Sequence, residues 1–404
     1  MYRYDNILSQ LKTRRGAIIG GLIVIVVIIT AYLVICHHEI YDASQSGVAA
    51  TPQPLTAVLM FTGDLMCVYE TQNMAVQGDI YDVKAGFDYV KPILAESDLT
   101  IGNLETVLSP SAPYRHEQTM ITSPDGLQQN CNAAATYLEA LVYAGFSAVV
   151  TANNHNLDAG LVGIAETLDN LERYHLPHTG MFKGKNDSRF LLADINGINI
   201  ALLSYATAFN TFDRLYSTQE LNIHINKYDQ KKAALDIATA KKEGADYVIV
   251  FIHWGMQNST SVTKNQLTYA QQLADSGADY IVGGHPHVLN PYDICHTPDG
   301  RNVPVLYSLG NFFTDMNEIE YLNRDAVIWR LELKKDSSAA IIADESYIPC
   351  HIFLDFEGQH CVTVPCNTQL ANTNARRELE TARERIRRAL GDKTQEFRPL
   401  KQPH

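Results

Sequence analysis

The amino-acid sequence predicts an α/β fold with a largely parallel or mixed central sheet. Short apolar runs, such as ADYVIVFIHWG at 245–255 and ADYIVGGHPH at 278–287, are typical of buried strands. The segment between them, NQLTYAQQLADSGA, has apolar residues at helical spacing. Each strand ends in a polar or glycine-rich loop. Strands that alternate with helices of this length indicate an α/β arrangement.

The first predicted element is a transmembrane helix over residues 17–36, AIIGGLIVIVVIITAYLVIC. This uncharged stretch has about the 20 residues that a helix needs to span a bilayer. Basic residues precede it, and Glu39 and Asp42 follow it, so the positive-inside bias predicts a cytoplasmic tail over 1–16 and an extracytoplasmic main domain. A cleaved signal peptide is the competing interpretation, but no small-x-small cleavage site follows closely. We therefore expect a single-pass protein of the cell membrane.

A polar linker with small residues and prolines is predicted over 37–54, followed by one folded domain over 55–370. Its further strands are expected at TAVLMFTGDLM, SDLTIGNLE, FSAVVTANNH, INIALLSYA and VPVLYSLGNF. Helical spacing predicts helices at AAATYLEALVYAG, GIAETLDNLERYH and QKKAALDIATAKKEGA.

The C-terminal part changes character. Strand-like segments beyond residue 325 follow one another without helices, which predicts a meander that closes a second sheet. A helical C-terminal tail is expected over 371–404, and its arginines are expected to form a solvated face. Its apolar stripe consists of Leu379, Ala382, Ile386 and Leu390.

Composition and charge restrict the possible functions. A chain with 46% apolar and 19% charged residues is typical of a globular protein. The net charge of −13 argues against nucleic acid as a partner. Outside the apolar stretch lie Cys67, Cys131, Cys295, Cys350, Cys361 and Cys366. If disulfides form, we expect one in the C-terminal trio, and buried reduced thiols are the alternative.

Polar side chains follow the strands at the point where each strand ends. They are Asp64, Asn103, Glu105, Asn153, Asn154, His155, His253, His285 and His287. Ligands bind beyond the carboxyl ends of the strands in open α/β sheets, so these residues are expected to form one site. Oxygen and imidazole ligands without a cysteine pair suit one or two divalent ions of manganese, zinc or iron in an open, catalytic type of site. Taken singly, most of these residues could instead cap helices or stabilise turns.

The motifs GDLM, GNLE, ANNHNLD, HWG, GGHPHV and YSLGNF resemble, in order and spacing, those of the bacterial capsule synthesis protein CapA family over residues 55–350. That family is similar to the calcineurin-like metallophosphoesterases. The resemblance implies a metallophosphoesterase-like sandwich of two mixed β-sheets flanked by helices, with a two-metal site at the sheet ends. It also implies a role in the synthesis or export of a poly-γ-glutamate capsule.

The resemblance further implies a role for each site residue. The implied ligands are Asp64 and His287 for one metal, Asn154, His253 and His285 for the other, and Glu105 between the two. Asn103 is the alternative residue for the bridging loop. His155 would protonate the leaving group, and Asp158 and Asn311 would support His155 and the ligand loops.

One position departs from the metallophosphoesterase pattern. Those enzymes usually have Asp-x-His at the first strand, whereas this sequence has Asp64-Leu65-Met66. A thioether is a poor ligand for hard divalent cations, so the first metal loses a donor. Two functions therefore stay open. One is a metal-dependent hydrolase of an anionic envelope polymer such as poly-γ-glutamate, and the other is a non-catalytic polymer-binding or assembly subunit that works with the membrane subunits of a capsule synthetase.

Overall fold

The structure is a computed structural model, and it describes residues 54–77, 80–114, 121–122, 128–129, 131–391 and 394–397. The predicted membrane helix at 17–36 lies outside these residues. Within the described ranges, no helix has both the length and the apolar character needed to cross a membrane.

The described strands, in chain order, are β1 (Leu55–Leu65), β2 (Val76–Gln77), β3 (Ile80–Tyr81), β4 (Leu99–Leu104), β5 (Ile121–Thr122), β6 (Gln128–Gln129), β7 (Ala148–Val150), β8 (His178–Thr179), β9 (Leu191–Ile195), β10 (Ile198–Ala206), β11 (Tyr247–His253), β12 (Tyr280–Gly284), β13 (Leu289–His296), β14 (Asn302–Leu309), β15 (Asn311–Phe313), β16 (Asp325–Lys335), β17 (Ile341–Phe356) and β18 (Gln359–Pro365). The α-helices are α1 (Tyr69–Ala75), α2 (Lys91–Leu94), α3 (Tyr137–Ala144), α4 (Gly160–Arg173), α5 (Thr218–His224), α6 (Gln230–Lys242), α7 (Lys264–Asp275) and α8 (Thr373–Leu390). Short 3-10 helices lie at Lys84–Phe87, Phe212–Leu215 and Glu320–Arg324.

Two mixed sheets make up the described domain. The eight-stranded sheet has the order β18-β17-β16-β1-β4-β7-β8, with β15 paired to β1. Its strands β1, β4, β7 and β8 run parallel, whereas β16, β17 and β18 are antiparallel. The six-stranded sheet has the order β13-β14-β12-β11-β10-β9. Its four central strands β10, β11, β12 and β14 run parallel. The predicted α/β fold with two mixed sheets and flanking helices is confirmed.

The two sheets pack face to face. Phe61 of β1 and Phe251 of β11 meet edge to face with ring centroids 5.5 Å apart, inside one apolar cluster that both sheets share. Helices α2, α3 and α4 cover the outer face of the eight-stranded sheet, and α6 and α7 cover that of the six-stranded sheet. Burial on both faces explains why β7 and the first six residues of β11 are continuous apolar runs.

Local sequence signals set the helix boundaries. The hydroxyl of Thr263 accepts a hydrogen bond from the backbone N–H of Gln266, and the side-chain oxygen of Gln266 accepts one from the backbone N–H of Thr263. The two bonds form a capping box at the start of α7. Asp229 caps α6 in the same position. Gly145, with a φ of 107°, ends α3 in the left-handed region that glycine tolerates best.

The predicted assignment of the C-terminal meander to a second sheet is wrong. Strands β16, β17 and β18 extend the first sheet, because β16 pairs antiparallel with β1 from Leu55↔Lys335 to Thr62↔Ile328. The second sheet consists of β9 to β14 instead. Alternation along a strand shows which side chains are buried, but it does not show which sheet edge the strand joins.

None of the six described cysteines forms a disulfide, and all are buried. The expected bridge in the C-terminal trio is therefore not present in the structure. Cys350 and Cys361 instead contact backbone carbonyl oxygens of Ile348 and Thr314. The alternative interpretation, buried reduced thiols, describes these residues.

Helix α8 packs its apolar stripe against the sandwich and adds a buried ion pair. Arg385 donates two hydrogen bonds of 2.6 Å to the carboxylate of Asp325, which is 3% exposed.

Arg385→Ala is expected to lower the free energy of unfolding by about 2–3 kcal/mol, because it leaves the buried carboxylate of Asp325 without its cation. Urea unfolding measures the change. Arg387→Ala on the same helix, which breaks an exposed pair with Glu384, is the control and should cost less than about 1 kcal/mol. Equal losses would contradict the prediction.

Candidate metal centre

The carboxyl ends of strands from both sheets meet at one edge of the sandwich. Asp64 and Asn103 come from the ends of β1 and β4, and His253 comes from the end of β11. The side-chain amide of Asn103 donates to Oδ1 of Asp64 over 2.7 Å and lies 3.3 Å from Nδ1 of His253. One asparagine therefore links the first sheet to the second at this edge.

Three potential ligand atoms surround Nε2 of His253. Oδ1 of Asn154 lies 2.6 Å from it, Nδ1 of His285 lies 3.1 Å from it, and Oε1 of Glu105 lies 3.2 Å from it. Burial lowers the pKa of His253 to about 3, and it also lowers the pKa of His285. Both imidazoles are therefore neutral near pH 7, which is the form that binds a metal.

Glu105 is the most unusual residue of this cluster. Its carboxylate is 0% exposed, and neither of its oxygens has a hydrogen-bond partner among the described residues. Burial and the neighbouring charge of Asp64 raise its pKa well above the ordinary value. A buried carboxylate without partners is costly, and a bound cation would remove that cost. The residues present therefore fit a divalent metal, and two overlapping sets of possible ligands both include Glu105.

A second set of contacts surrounds His287. Its Nδ1 lies 2.9 Å from Oδ1 of Asn311 and 3.3 Å from Oδ2 of Asp64, and its Nε2 lies 3.7 Å from Oε1 of Glu105. Burial acts to lower the pKa of His287, but the carboxylates of Glu105 and Asp64 raise it to about 9. Burial acts to raise the pKa of Asp64, but the hydrogen bond and charge of His287 hold it below its usual range. Asp64 and His287 thus neutralise each other where the first metal was predicted.

The GGHPHV segment needs both its glycines and its unusual backbone. A Cβ on Gly283 would lie 2.2 Å from the carbonyl oxygen of Tyr307, so only glycine fits beside β14. His285 and His287 have φ values of 95° and 55°, in the left-handed region. The segment holds both imidazoles toward the carboxylates at a cost in backbone strain, as is common in functional sites.

Met66 does not join the ligand cluster. Its side chain is buried in a small apolar cluster with Val68 and Cys131. The first predicted metal position therefore has Asp64, His287 and Glu105 but no second imidazole from β1.

His155 stands beside the ligand cluster. Its Nδ1 lies 2.8 Å from Oδ2 of Asp158, and its Nε2 lies 4.0 Å from Oε1 of Glu105. Burial acts to lower the pKa of His155, but the thiol of Cys131 and the carboxylate of Asp158 raise it. An imidazole held by a carboxylate can carry a proton to or from a bound substrate.

The structure brings the predicted site residues into one region and adds Asn210 and Cys131, which sequence reasoning missed. Asn153 donates to the carbonyl oxygen of Leu104, and Asn210 accepts a hydrogen bond from the side chain of Asn154. Cys131 lies 3.6 Å from Nε2 of His155. Asn153 belongs to the motif ANNHNLD and to the predicted strand-end residues, whereas Asn210 and Cys131 lie in loops that carry no pattern.

A cavity of about 430 Å³ opens beside these residues. Asn154, His155 and His287 form its inner wall, and Asn210, Gln257 and Glu318 also line it. The space is large enough for a substrate group to reach His155 and the ligand cluster together.

The sequence of this chain is similar to a protein family and to individual known proteins. The model of the family described as bacterial capsule synthesis protein PGA_cap matches residues 58–316. The PGA biosynthesis protein CapA of Bacillus subtilis is 28% identical over 300 residues, which are 72% of this chain and 73% of that protein. The capsule biosynthesis protein CapA of Bacillus anthracis is 28% identical over 286 residues, which are 70% of this chain and 65% of that protein.

Two solved structures are similar at lower identity. The calcineurin-like phosphoesterase YfkN of Bacillus subtilis is 14% identical with a TM-score of 0.45, over 83% of this chain and 99% of that chain. The 5'-nucleotidase precursor of Thermus thermophilus is 12% identical with a TM-score of 0.42, over 82% of this chain and 59% of that chain. The family model, in contrast, spans more than half of the sequence and includes nearly all of the strand-end motifs. The chain therefore belongs to the bacterial capsule synthesis protein PGA_cap family.

Proposed function

We propose that this protein is a membrane-anchored, extracytoplasmic, metal-dependent hydrolase that acts on a phosphoester or amide bond of an envelope polymer during poly-γ-glutamate capsule synthesis or export. The observation that carries the proposal is the buried carboxylate of Glu105. It has no hydrogen-bond partner among the described residues and lies 3.2 Å from an imidazole nitrogen that Asn154 and His285 also approach. A cation is the partner that these metal-ligating oxygen and nitrogen atoms lack.

Different residues of the chain have different roles in the proposed reaction. Asn154, His253, His285 and Glu105 would hold a metal, and Asp64 and His287 would hold a second one less firmly. A bound divalent metal would supply Lewis acidity and a water of lowered pKa.

His155 would donate a proton to the leaving atom. Asp158 fixes the orientation of the imidazole through the 2.8 Å contact at Nδ1. Asn103 holds Asp64 in place through the 2.7 Å hydrogen bond to Oδ1. The cavity beside His155 would receive the scissile group of the polymer.

The location and partners are part of the proposal. The apolar stretch at 17–36 and the charges on either side of it support a single-pass anchor with the N-terminus in the cytoplasm. The printed names of the two Bacillus relatives refer to the biosynthesis of PGA and of capsule. Poly-γ-glutamate as the polymer and the membrane subunits of its synthetase as partners follow from this family role.

The metal content of the detergent-solubilised full chain tests the site. We expect one firmly held manganese, zinc or iron ion, because the position next to Met66 lacks a second imidazole. Elemental analysis after gel filtration measures it. Asp64→Ala should keep this ion and His285→Ala should lose it. Met66→His should add a second ion by restoring Asp-x-His. A chain that retains no transition metal, or that retains the same amount in all variants, would contradict the proposal.

A non-catalytic polymer-binding or assembly role is the second candidate, and Met66 favours it because it weakens one metal position. Capsule formation in cells that carry only the His253→Ala chain separates the two. Loss of capsule polymer supports the hydrolase. A normal capsule supports the assembly role.

A further inference from the structure

Cys131 faces the imidazole that the proposed hydrolase would use as its acid. Its sulfur lies 3.6 Å from Nε2 of His155. On the other side of the ring, Nδ1 lies 2.8 Å from Oδ2 of Asp158. A thiol, an imidazole and a carboxylate thus follow one another in the order in which thiol enzymes arrange a nucleophile, a base and the group that orients the base.

The contacts of Asp158 fix which nitrogen of His155 carries the hydrogen. Oδ2 of Asp158 accepts the backbone N–H of Cys131 over 2.8 Å, and it also faces Nδ1 of His155. A carboxylate oxygen only accepts, so Nδ1 carries the hydrogen and donates it. In the neutral ring, Nε2 is then the nitrogen that is open to the thiol proton. Asp158 therefore positions the base and the nucleophile at the same time.

The surroundings of Cys131 differ from those of the other five described cysteines. Cys131 is 2% exposed but forms part of the wall of the 430 Å³ cavity, beside Asn154 and His155. Cys350 and Cys361 contact backbone carbonyl oxygens. Cys67, Cys295 and Cys366 belong to the large core clusters, whereas Cys131 belongs to the small cluster with Met66 and Val68 beside the cavity. A buried carboxylate without a hydrogen-bond partner, that of Glu105, also lies 4.0 Å from Nε2 of His155.

We propose that Cys131, His155 and Asp158 form a thiol nucleophile that attacks the carbonyl carbon of an amide bound in this cavity, and that the amide is a γ-glutamyl amide. Only the identity of the acyl group rests on the proposed function. The thiol chemistry itself needs no metal.

The reaction balances with water as the only co-reactant. The thiol proton passes to Nε2 of His155 while the sulfur electron pair forms a bond to the carbonyl carbon. The carbon–nitrogen bond then breaks, and the leaving amine takes the proton from Nε2. Water next gives a proton to Nε2 and attacks the thioester, which releases a γ-carboxylate. The sulfur leaves as the thiol with that proton.

Alkylation of the full chain by limiting iodoacetamide, with a chelator present, tests the nucleophile. Peptide mass spectrometry should show Cys131 modified about 100-fold faster than Cys295, which is the matched internal control. His155→Asn and Asp158→Asn should slow the modification of Cys131, by about 100-fold for His155→Asn, because a positioned base contributes that much. Both variants should leave the alkylation rate of Cys295 unchanged, which also shows that they are folded.

An activated amide, γ-glutamyl p-nitroanilide, tests the acyl transfer. With chelator present, the full chain should release p-nitroaniline and carry a γ-glutamyl mass on the peptide that contains Cys131. Cys131→Ser should lose both signals, and Cys295→Ser should keep them. His296→Ala, at an exposed histidine on β13, should also keep them. Because both signals are recorded after chelator has removed the metal, failure of the hydrolase proposal and failure of this one are distinguishable. Equal alkylation of Cys131 and Cys295, or no adduct on Cys131, would overturn the inference.

Discussion

His253→Ala is expected to remove the firmly held metal and the hydrolase activity together. Its Nε2 lies within 3.2 Å of ligand atoms from Asn154, His285 and Glu105, so alanine leaves a gap at the centre of the cluster. Metal affinity should fall by more than about 100-fold, since even indirect supports of a metal ligand contribute 10- to 100-fold. Competition titration with a fluorescent chelator measures the affinity. The part of phosphate or amine release from polymer that chelator abolishes measures the metal-dependent activity.

The matched control for this change is His296→Ala. His296 is an exposed histidine at the end of β13, and its Nδ1 lies 2.7 Å from Oδ1 of Asn302, which is not a residue of the cluster. The His296→Ala chain should bind metal with the same affinity as the unmodified chain. Retention of metal by the His253→Ala chain would show that the cluster is a packed polar core and not a metal centre.

Glu105→Gln is expected to stabilise the metal-free protein while it weakens metal binding. The carboxylate is fully buried without a hydrogen-bond partner among the described residues, and an amide removes the charge at nearly the same volume. In the presence of chelator we expect the free energy of unfolding to rise by about 1–3 kcal/mol at neutral pH. Urea unfolding measures the gain. The same variant should bind metal more weakly because the bridging charge is gone.

The pH dependence of this gain has a definite sign. The pKa of Glu105 is raised in the folded chain, so the folded state holds its proton more firmly than the unfolded state. The stability of the unmodified chain is then greatest below the ordinary glutamate pKa, and it declines as pH rises toward the folded-state value. The difference between Glu105→Gln and the unmodified chain should therefore grow from pH 4 to pH 8. Glu380→Gln, at an exposed site on α8, should show no such trend. A constant difference would contradict the assignment of the effect to this carboxylate.

The sequence predicted the residues at the strand ends well, because the order of strands in a parallel sheet brings the residues after each strand to the same edge. Asp64, Asn103 and His253 each follow an apolar run, and parallel strands bring such residues to one edge. Contacts supplied by loops carry no such pattern. Cys131 precedes α3 after a segment without strand periodicity, and its place beside His155 depends on long-range packing.

Sheet membership was the other property that the sequence did not reveal. The long strands β16 and β17 were recognised, but the pairing of β16 with β1 joins distant parts of the chain. Their alternating burial is compatible with either sheet. The role of Asn311 also depends on tertiary structure, because it accepts from His287 and donates to the carbonyl oxygen of Asn323.

The pairing of β1 with β16 sets the order in which this protein can mature. Residue 55 is among the first of the domain to be synthesised, and its partner, residue 335, is among the last. Pairing between such distant segments is slow to form, and the open edge of β1 stays exposed until the late strands arrive. Asp64 at the end of β1 meets His287 and Asn311 only after most of the domain has been made. A partner that shields the β1 edge during this interval would lower the share of the protein that is lost to aggregation.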